Sequence, residues 1–229
     1  MSTNPSGPTQ RTAQQRWREH RARVRADIVD AVFRTTKKLG PEISMDDIAR
    51  EAIAGKPKLY RHFSGKTDLY NAVLDHVTET LWTQIVGRAD LAQDSVSQII
   101  QHGVAEYLDM LTEEPNLFIW LTQSGIAKQA APDGHAIAGI RQIAQRLDIA
   151  LHDAGGRQVI EPRIVELLAF SILGMAAAAT DWWLSAEHSA TPPMTPGDFA
   201  TYLSRAIETI VGRGISLHGI TIDPARPFI

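Results

Sequence analysis

The sequence predicts an all-α protein: an N-terminal three-helix domain with a helix-turn-helix, then a C-terminal helical bundle, about nine helices together. Three observations predict it. Apolar residues recur at spacings of three and four in nearly every segment, Gly and Pro fall between those segments, and no stretch before the C-terminal tail shows the period of two that a half-buried strand needs. With 229 residues, 44% of them hydrophobic, the chain has enough apolar surface for a packed core.

Residues 1–13 are rich in Ser, Thr, Pro, Gln and Gly and are expected to form a disordered arm, because such a composition buries too little apolar surface to offset its ordering entropy. From about Gln14 a helix follows, with Val24, Ile28, Ala31, Val32, Thr35 and Leu39 on one stripe and Gly40-Pro41 as its stop. Its first turns carry Arg16, Arg18, Arg21, Arg23 and Arg25. That run reads either as an exposed helix face or as an arm reaching phosphates or a minor groove.

Ser44-Met45-Asp46-Asp47 has the form of a capping box, and Met45, Ile48, Ala49 and Ala52 continue at helical spacing. After Ile53-Ala54-Gly55 a second short helix runs from Lys56 to Phe63, with Pro57 in its first turn, where a missing N–H does no harm. A fourth helix begins near Lys66 and continues through Leu69, Val73, Val77, Leu81 and Ile85 to about Arg88.

Beyond Asp90, Val96, Ile99, Ile100, Val104, Tyr107, Leu108 and Leu111 form one stripe, and Pro115 opens a short segment through Leu121. Asp133 opens a helix with Ile137, Ile140, Ile143, Leu147 and Leu151 on one side, ended by Gly155-Gly156. The segment Ile160 to Ala186 is apolar nearly all round, which predicts burial on more than one side. A loop over 191–197 precedes the last helix, which carries Phe199, Tyr202, Leu203, Ala206, Ile207, Ile210 and Val211.

The net charge of −3 hides an asymmetry: residues 1–66 hold 14 Lys/Arg and 7 Asp/Glu, a balance of +7, so the remainder stands at −10. A basic N-terminal third suits a polyanion, and the acidic remainder is repelled by one. The chain has no cysteine, which excludes disulfides, thiolate metal sites and cysteine nucleophiles. The longest apolar stretch, Leu167 to Thr180, is shorter than the roughly 20 residues of a membrane span, so a cytoplasmic protein without a membrane partner is expected.

Two short helices about one tight turn, inside a basic segment, are what a major groove about 12 Å wide admits. In the second of them Leu59 and Phe63, four apart, anchor the helix, which leaves Lys56, Lys58, Tyr60, Arg61 and His62 toward solvent or DNA. The sequence Asp47-Ile48-Ala49, then Lys56-Pro57-Lys58-Leu59-Tyr60-Arg61-His62-Phe63, then Gly65-Lys66 and Leu69, resembles the DNA-binding domain of the TetR family over roughly residues 20–75.

The resemblance implies a ligand-responsive transcriptional repressor, homodimeric on a palindromic operator of double-stranded DNA. By position it implies that Lys56, Pro57 and Lys58 approach base edges, while Tyr60, His62 and Lys66 hold phosphates. Ser44 and Lys66 stand at helix starts, where free N–H groups favour an anion. The family usually has glycine where this chain has Ile53. A β-branched residue at positive φ is an outlier, so the turn is expected to shift, with Gly55 taking the left-handed conformation.

The expected division is therefore a DNA-binding domain over 14–66 and a ligand-binding and dimerisation domain over 67–229. The last two long helices, with small residues Ala176 to Ala179, are the expected dimer seam. A small apolar effector is expected within the second domain, against Trp82, Tyr107, Phe118, Trp120, Leu121, Ile143, Phe170 and Trp183. No cofactor or metal site is expected. Histidine pairs at metal-ligand spacing, a nucleophile elbow and phosphate-binding glycine loops are all lacking, and Glu113-Glu114 and Asp46-Asp47 are adjacent pairs that diverge on a helix. His102, His135 and His152 read as surface or satisfied core residues. The alternative that stays open is a helical ligand-binding or scaffold dimer that does not bind DNA.

Overall fold

The computed structural model describes residues 13–53, 55–90, 93–123, 135–153, 160–185, 194–217, 219, 223 and 225–227. Among them lie nine helices and no strand: α1 Ala13–Leu39, α2 Met45–Glu51, α3 Gly55–His62, α4 Lys66–Ile85, α5 Val96–Glu113, α6 Pro115–Gln123, α7 His135–Asp153, α8 Pro162–Ser185 and α9 Pro196–Ser216. The arm over residues 1–12, the opening at Asp133, the Gly155-Gly156 stop and the loop residues 191–193 lie outside the described residues.

Each well-bounded helix has a local cause. Gly40 at φ +87 closes α1 by returning its N–H to the Thr36 carbonyl at 3.0 Å. Ser44 caps α2 reciprocally with Asp47, and Ser95 caps α5 the same way with Gln98, a second capping box that the apolar stripe alone does not announce. Thr195 accepts from the Asp198 N–H to start α9, with Pro196 in the first turn.

Helices α1 to α4 bury Val24, Ile28, Val32, Ile48, Leu59, Phe63, Leu69 and Val73, and the same cluster continues without a break into Leu111, Leu117, Trp120, Phe199 and Leu203 of the bundle. Helix α1 packs on α6 as well as on α2, α3 and α4. At this junction the Tyr70 hydroxyl donates to the Leu121 carbonyl at 2.9 Å. A separate cluster of Ala144, Ile160, Val165, Ala169 and Ile215 closes the far end among α7, α8 and α9.

Three expectations need correction. Helix α8 is not buried on more than one side within one chain: only Val165, Ala169 and Thr180 are buried, while Leu167 and Trp182 stand 61% and 59% exposed. Its helical run also exceeds the uninterrupted Leu167 to Thr180 stretch, because Ile164, Val165, Trp182 and Trp183 extend it, and α8 is long and apolar enough to cross a membrane by length and composition. In α7 the buried line runs through Ala144, with Ile140, Ile143 and Leu147 half-buried beside it and Ile137 exposed, so the contact face is rotated toward the small residue. The side chain of Leu151 lies outside the described residues.

The turn between α2 and α3 gives the third. Gly55 takes φ +61 as expected, but Ile53 also takes a left-handed φ of +50, with its side chain 94% exposed. The turn therefore keeps a left-handed residue at the position of Ile53 despite the β-branch.

Candidate nucleic-acid interface

The outward face of α3 follows from its inward one. Leu59 and Phe63 are completely buried, so the residues between and before them must point away: Lys56, Pro57, Lys58, Tyr60 and Arg61 are all exposed. His62 is half-buried.

The exposed residues are not equally free. Lys56 Nζ lies 2.6 Å from Asp46 Oδ2 on α2, and that hydrogen bond and charge hold the Lys56 ammonium above its ordinary pKa. Arg61 Nε donates back to the Pro57 carbonyl at 3.2 Å, which lays the guanidinium along its own helix. Lys58 forms no ion pair among the described residues, and Tyr60 is 53% exposed. Lys58 and Tyr60 are thus the side chains of α3 most available to a partner.

Burial pushes the pKa of His62 down, and the nearby Arg21, Lys58, Arg25 and His20 push it further the same way. Its imidazole is therefore neutral near pH 7, and its Nδ1 is buried without a hydrogen-bond partner. Lys66 is exposed at the first position of α4, whose N-cap Gly65 offers no side-chain cap, and the acidic residue of that first turn, Asp68, is paired with Arg25. Ser44 is exposed too, but its hydroxyl and N–H are committed to Asp47 in the capping box, and the Asp47 carboxylate adds negative charge at that helix start.

One residue that organises the interface is not set apart by the sequence pattern of the arginine run. Arg25 does not share that run's exposure: its guanidinium lies 4.0 Å from the centroid of the Phe63 ring, its Nη1 donates to the His62 carbonyl, and its Nη2 meets Asp68 Oδ1 at 2.9 Å. It ties α1 to the end of α3 and the start of α4. A signal existed, since Arg25 stands three and seven residues before Ile28 and Val32 and so shares the stripe that enters the core.

The eight residues expected around a ligand do not form one group. Tyr107 and Phe118 meet edge to face at 5.8 Å, and Tyr107 is hydrogen-bonded to Thr180 at 2.6 Å. Trp120 and Leu121 are buried in the main core, with Trp120 against Tyr70 at 5.6 Å. Trp183 stacks on Phe199 at 4.9 Å and donates to the Met194 carbonyl, which places it in the α8–α9 seam. Trp82 lies under the Arg146 guanidinium at 5.4 Å, and Ile143 and Phe170 are half-buried.

Of the three histidines expected to be surface or satisfied residues, His152 is exposed and His135 is paired, and one differs. His102 is not satisfied: its Nε2 is buried without a hydrogen bond, with Glu106 Oε1 3.8 Å away, and Gln84 Oε1 is likewise buried and unpartnered. His135 pairs with Asp75 at 2.8 Å beside a polar cleft of about 390 Å³ between α1, α4 and α7, which none of the eight residues lines.

An outward basic helix, held at the end of a tight turn and carried on a helical bundle, has the form of a helix-turn-helix DNA-binding motif. Residues 28–73 match the family described as bacterial regulatory proteins, tetR family. An HTH-type transcriptional regulator of Mycobacterium tuberculosis, found in strains H37Rv and CDC 1551, is 28% identical over 212 residues, 91% of this chain and 88% of that one. Among solved structures, a TetR-family transcriptional regulator from Streptomyces coelicolor superposes with a TM-score of 0.58 at 20% identity, covering 87% of this chain and 83% of that one. RolR, solved in complex with the ligand resorcinol, superposes with a TM-score of 0.55 at 17% identity over 91% of this chain and 99% of its own. Over residues 28–73 the chain therefore carries the DNA-binding pattern of the tetR family, and over most of its length it is similar to an HTH-type transcriptional regulator.

Proposed function

We propose that this regulator is a homodimeric repressor whose two α3 helices enter successive major grooves of a palindromic operator and leave it when a small apolar ligand binds the bundle. The observation that carries the reading is the division of α3 into completely buried Leu59 and Phe63 and exposed Lys58 and Tyr60. In this arrangement Lys58 donates to guanine O6 or N7, with Lys56 and Pro57 beside it at the base edges. Lys56 must exchange Asp46 for DNA to take part. Tyr60 and the neutral His62 each donate one hydrogen bond to phosphate, Lys66 adds charge at the start of α4, and Arg61 faces the backbone. Ser44 contributes by capping α2 and orienting the motif.

One reader helix makes too few contacts for specificity, so a second copy is needed, with half-sites about 34 Å apart. The apolar residues left uncovered on α8 and α9, Leu167, Trp182 and Tyr202 among them, support pairing of these helices between two chains. The division into 14–66 and 67–229 describes the two tasks, while the continuous core across α1, α4 and α6 gives the second a mechanical path to the first. RolR's complex with resorcinol supports a small effector, and the place proposed for it here is the bundle beside the edge-to-face pair Tyr107 and Phe118. A ligand that binds better to a dimer with misplaced α3 helices shifts the population away from DNA.

The test is a mobility-shift assay on duplexes selected by the protein from a random library, at two salt concentrations. Retardation that weakens steeply with salt and prefers the selected sequence supports the reading. Absence of retardation at low salt overturns it.

A further inference from the structure

From Gln14 to Arg23 every side chain of α1 is exposed, and Val24 is the first to be buried. At 1.5 Å per residue this is about 15 Å of helix that contributes nothing to the core. It carries Arg16, Arg18, Arg21 and Arg23 against Glu19, and none of the four arginines forms an ion pair among the described residues. Isolated helical turns in water are marginal, so an uncovered cationic extension does little for stability.

Its two faces are not equivalent. Arg18 and Arg21 lie seven and four residues before Arg25, on the face that Arg25 turns into the junction of Phe63, the His62 carbonyl and Asp68. Arg21 sits over the Trp17 ring at 5.2 Å, close enough to the end of α3 that its charge acts on His62 together with that of Lys58. Arg16 and Arg23, seven apart, occupy the opposite face.

We propose that the exposed first turns of α1 are a second DNA-contacting element, in which Arg18 and Arg21 bind the phosphate backbone flanking the half-site entered by α3. The inference rests on the DNA-binding reading and extends it. Guanidinium forks match phosphate oxygens in pairs, and bonds to phosphate hold the protein in register without reading sequence.

The experiment measures the salt dependence of binding to a selected duplex and to a scrambled one. It compares the wild type with Arg18→Ala/Arg21→Ala, Arg16→Ala/Arg23→Ala and Arg18→Lys/Arg21→Lys, each checked for an unchanged melting temperature. Every phosphate that an arginine no longer neutralises makes the slope of log K against log salt shallower by about 0.9, or about 3.6 for a dimer without all four arginines. That change is expected for the Arg18/Arg21 alanine variant on both duplexes. The lysine variant should keep the wild-type slope, and the opposite-face variant should change less than half as much. A wild-type slope in the Arg18/Arg21 alanine variant, or equal changes from both faces, overturns the inference. If the wild type binds neither duplex, the DNA-binding reading itself falls.

Discussion

Arg25 on α1 meets Asp68 on α4 at 2.9 Å while its guanidinium covers the Phe63 ring, so one side chain fixes the end of α3 against α1 and α4. Burial works to raise the Asp68 pKa, but hydrogen bonds from Arg25 and Ser64 outweigh it and hold the carboxyl below its ordinary value. Asp68 therefore contributes stability that is present above its unfolded pKa of about 3.9 and is lost as pH falls through the lower folded value. Arg25→Ala should cost about 2 kcal/mol in denaturant unfolding, in line with hydrogen bonds to charged groups. It should also remove most of the acid sensitivity due to Asp68. An unchanged midpoint would mean the clamp is idle.

Ile53 offers a substitution that should stabilise. A left-handed non-glycine residue costs roughly 1–2 kcal/mol, whereas glycine's extra unfolded-state entropy costs about 0.5–1 kcal/mol, and the exposed isoleucine has no packing to lose. Ile53→Gly should raise stability by about 0.5–1 kcal/mol in thermal melts. A fall in melting temperature would show that the side chain has a partner.

Lys58 and Lys66 test the proposed division between sequence reading and backbone binding. Lys58→Ala should weaken binding and relax base preference by about 1–3 kcal/mol at one position of each half-site, measured by repeating the selection. Lys66→Ala should weaken all duplexes alike. If both variants select the wild-type sequence, Lys58 is not the reader.

His62 has a depressed folded pKa, so its contribution to stability is present above the unfolded value of about 6.5 and declines as pH falls below it. His62→Gln should flatten the stability profile between about pH 7 and pH 5. A profile as steep as the wild type's would place that titration elsewhere.

The uncovered face of α8 gives a test of assembly. Leu167→Glu puts a charge where an apolar residue stands 61% exposed, which a monomer tolerates and a dimer seam does not. Sedimentation should show the variant shifted to monomer at concentrations where the wild type is dimeric. Identical profiles would remove α8 from the seam.

Much of this was legible in the sequence where local chemistry decides the outcome. The Ser44–Asp47 box, the Gly40 stop and the Leu59/Phe63 pair each carry their meaning within four residues, so α1 to α3 and the outward face of α3 could be read directly. Ile53 followed the opposite rule: its intrinsic preference is overridden because α2 and α3 must meet at one angle. Packing set by other helices was not legible. Ala144 is the buried residue of α7 among those described because close helix approach favours a small side chain over its larger neighbours. The eight aromatic and aliphatic residues assigned to a ligand dispersed for a similar reason, since Trp183 stacks on Phe199 of the following helix and Trp120 packs on Tyr70 two helices earlier.

The most direct test is hydroxyl-radical footprinting of the wild type on its selected duplex, with the stoichiometry measured on the same complex. Two protected segments centred about 34 Å apart, with two chains bound per duplex, are the expected result. One protected segment under a single chain, or no protection, would contradict it.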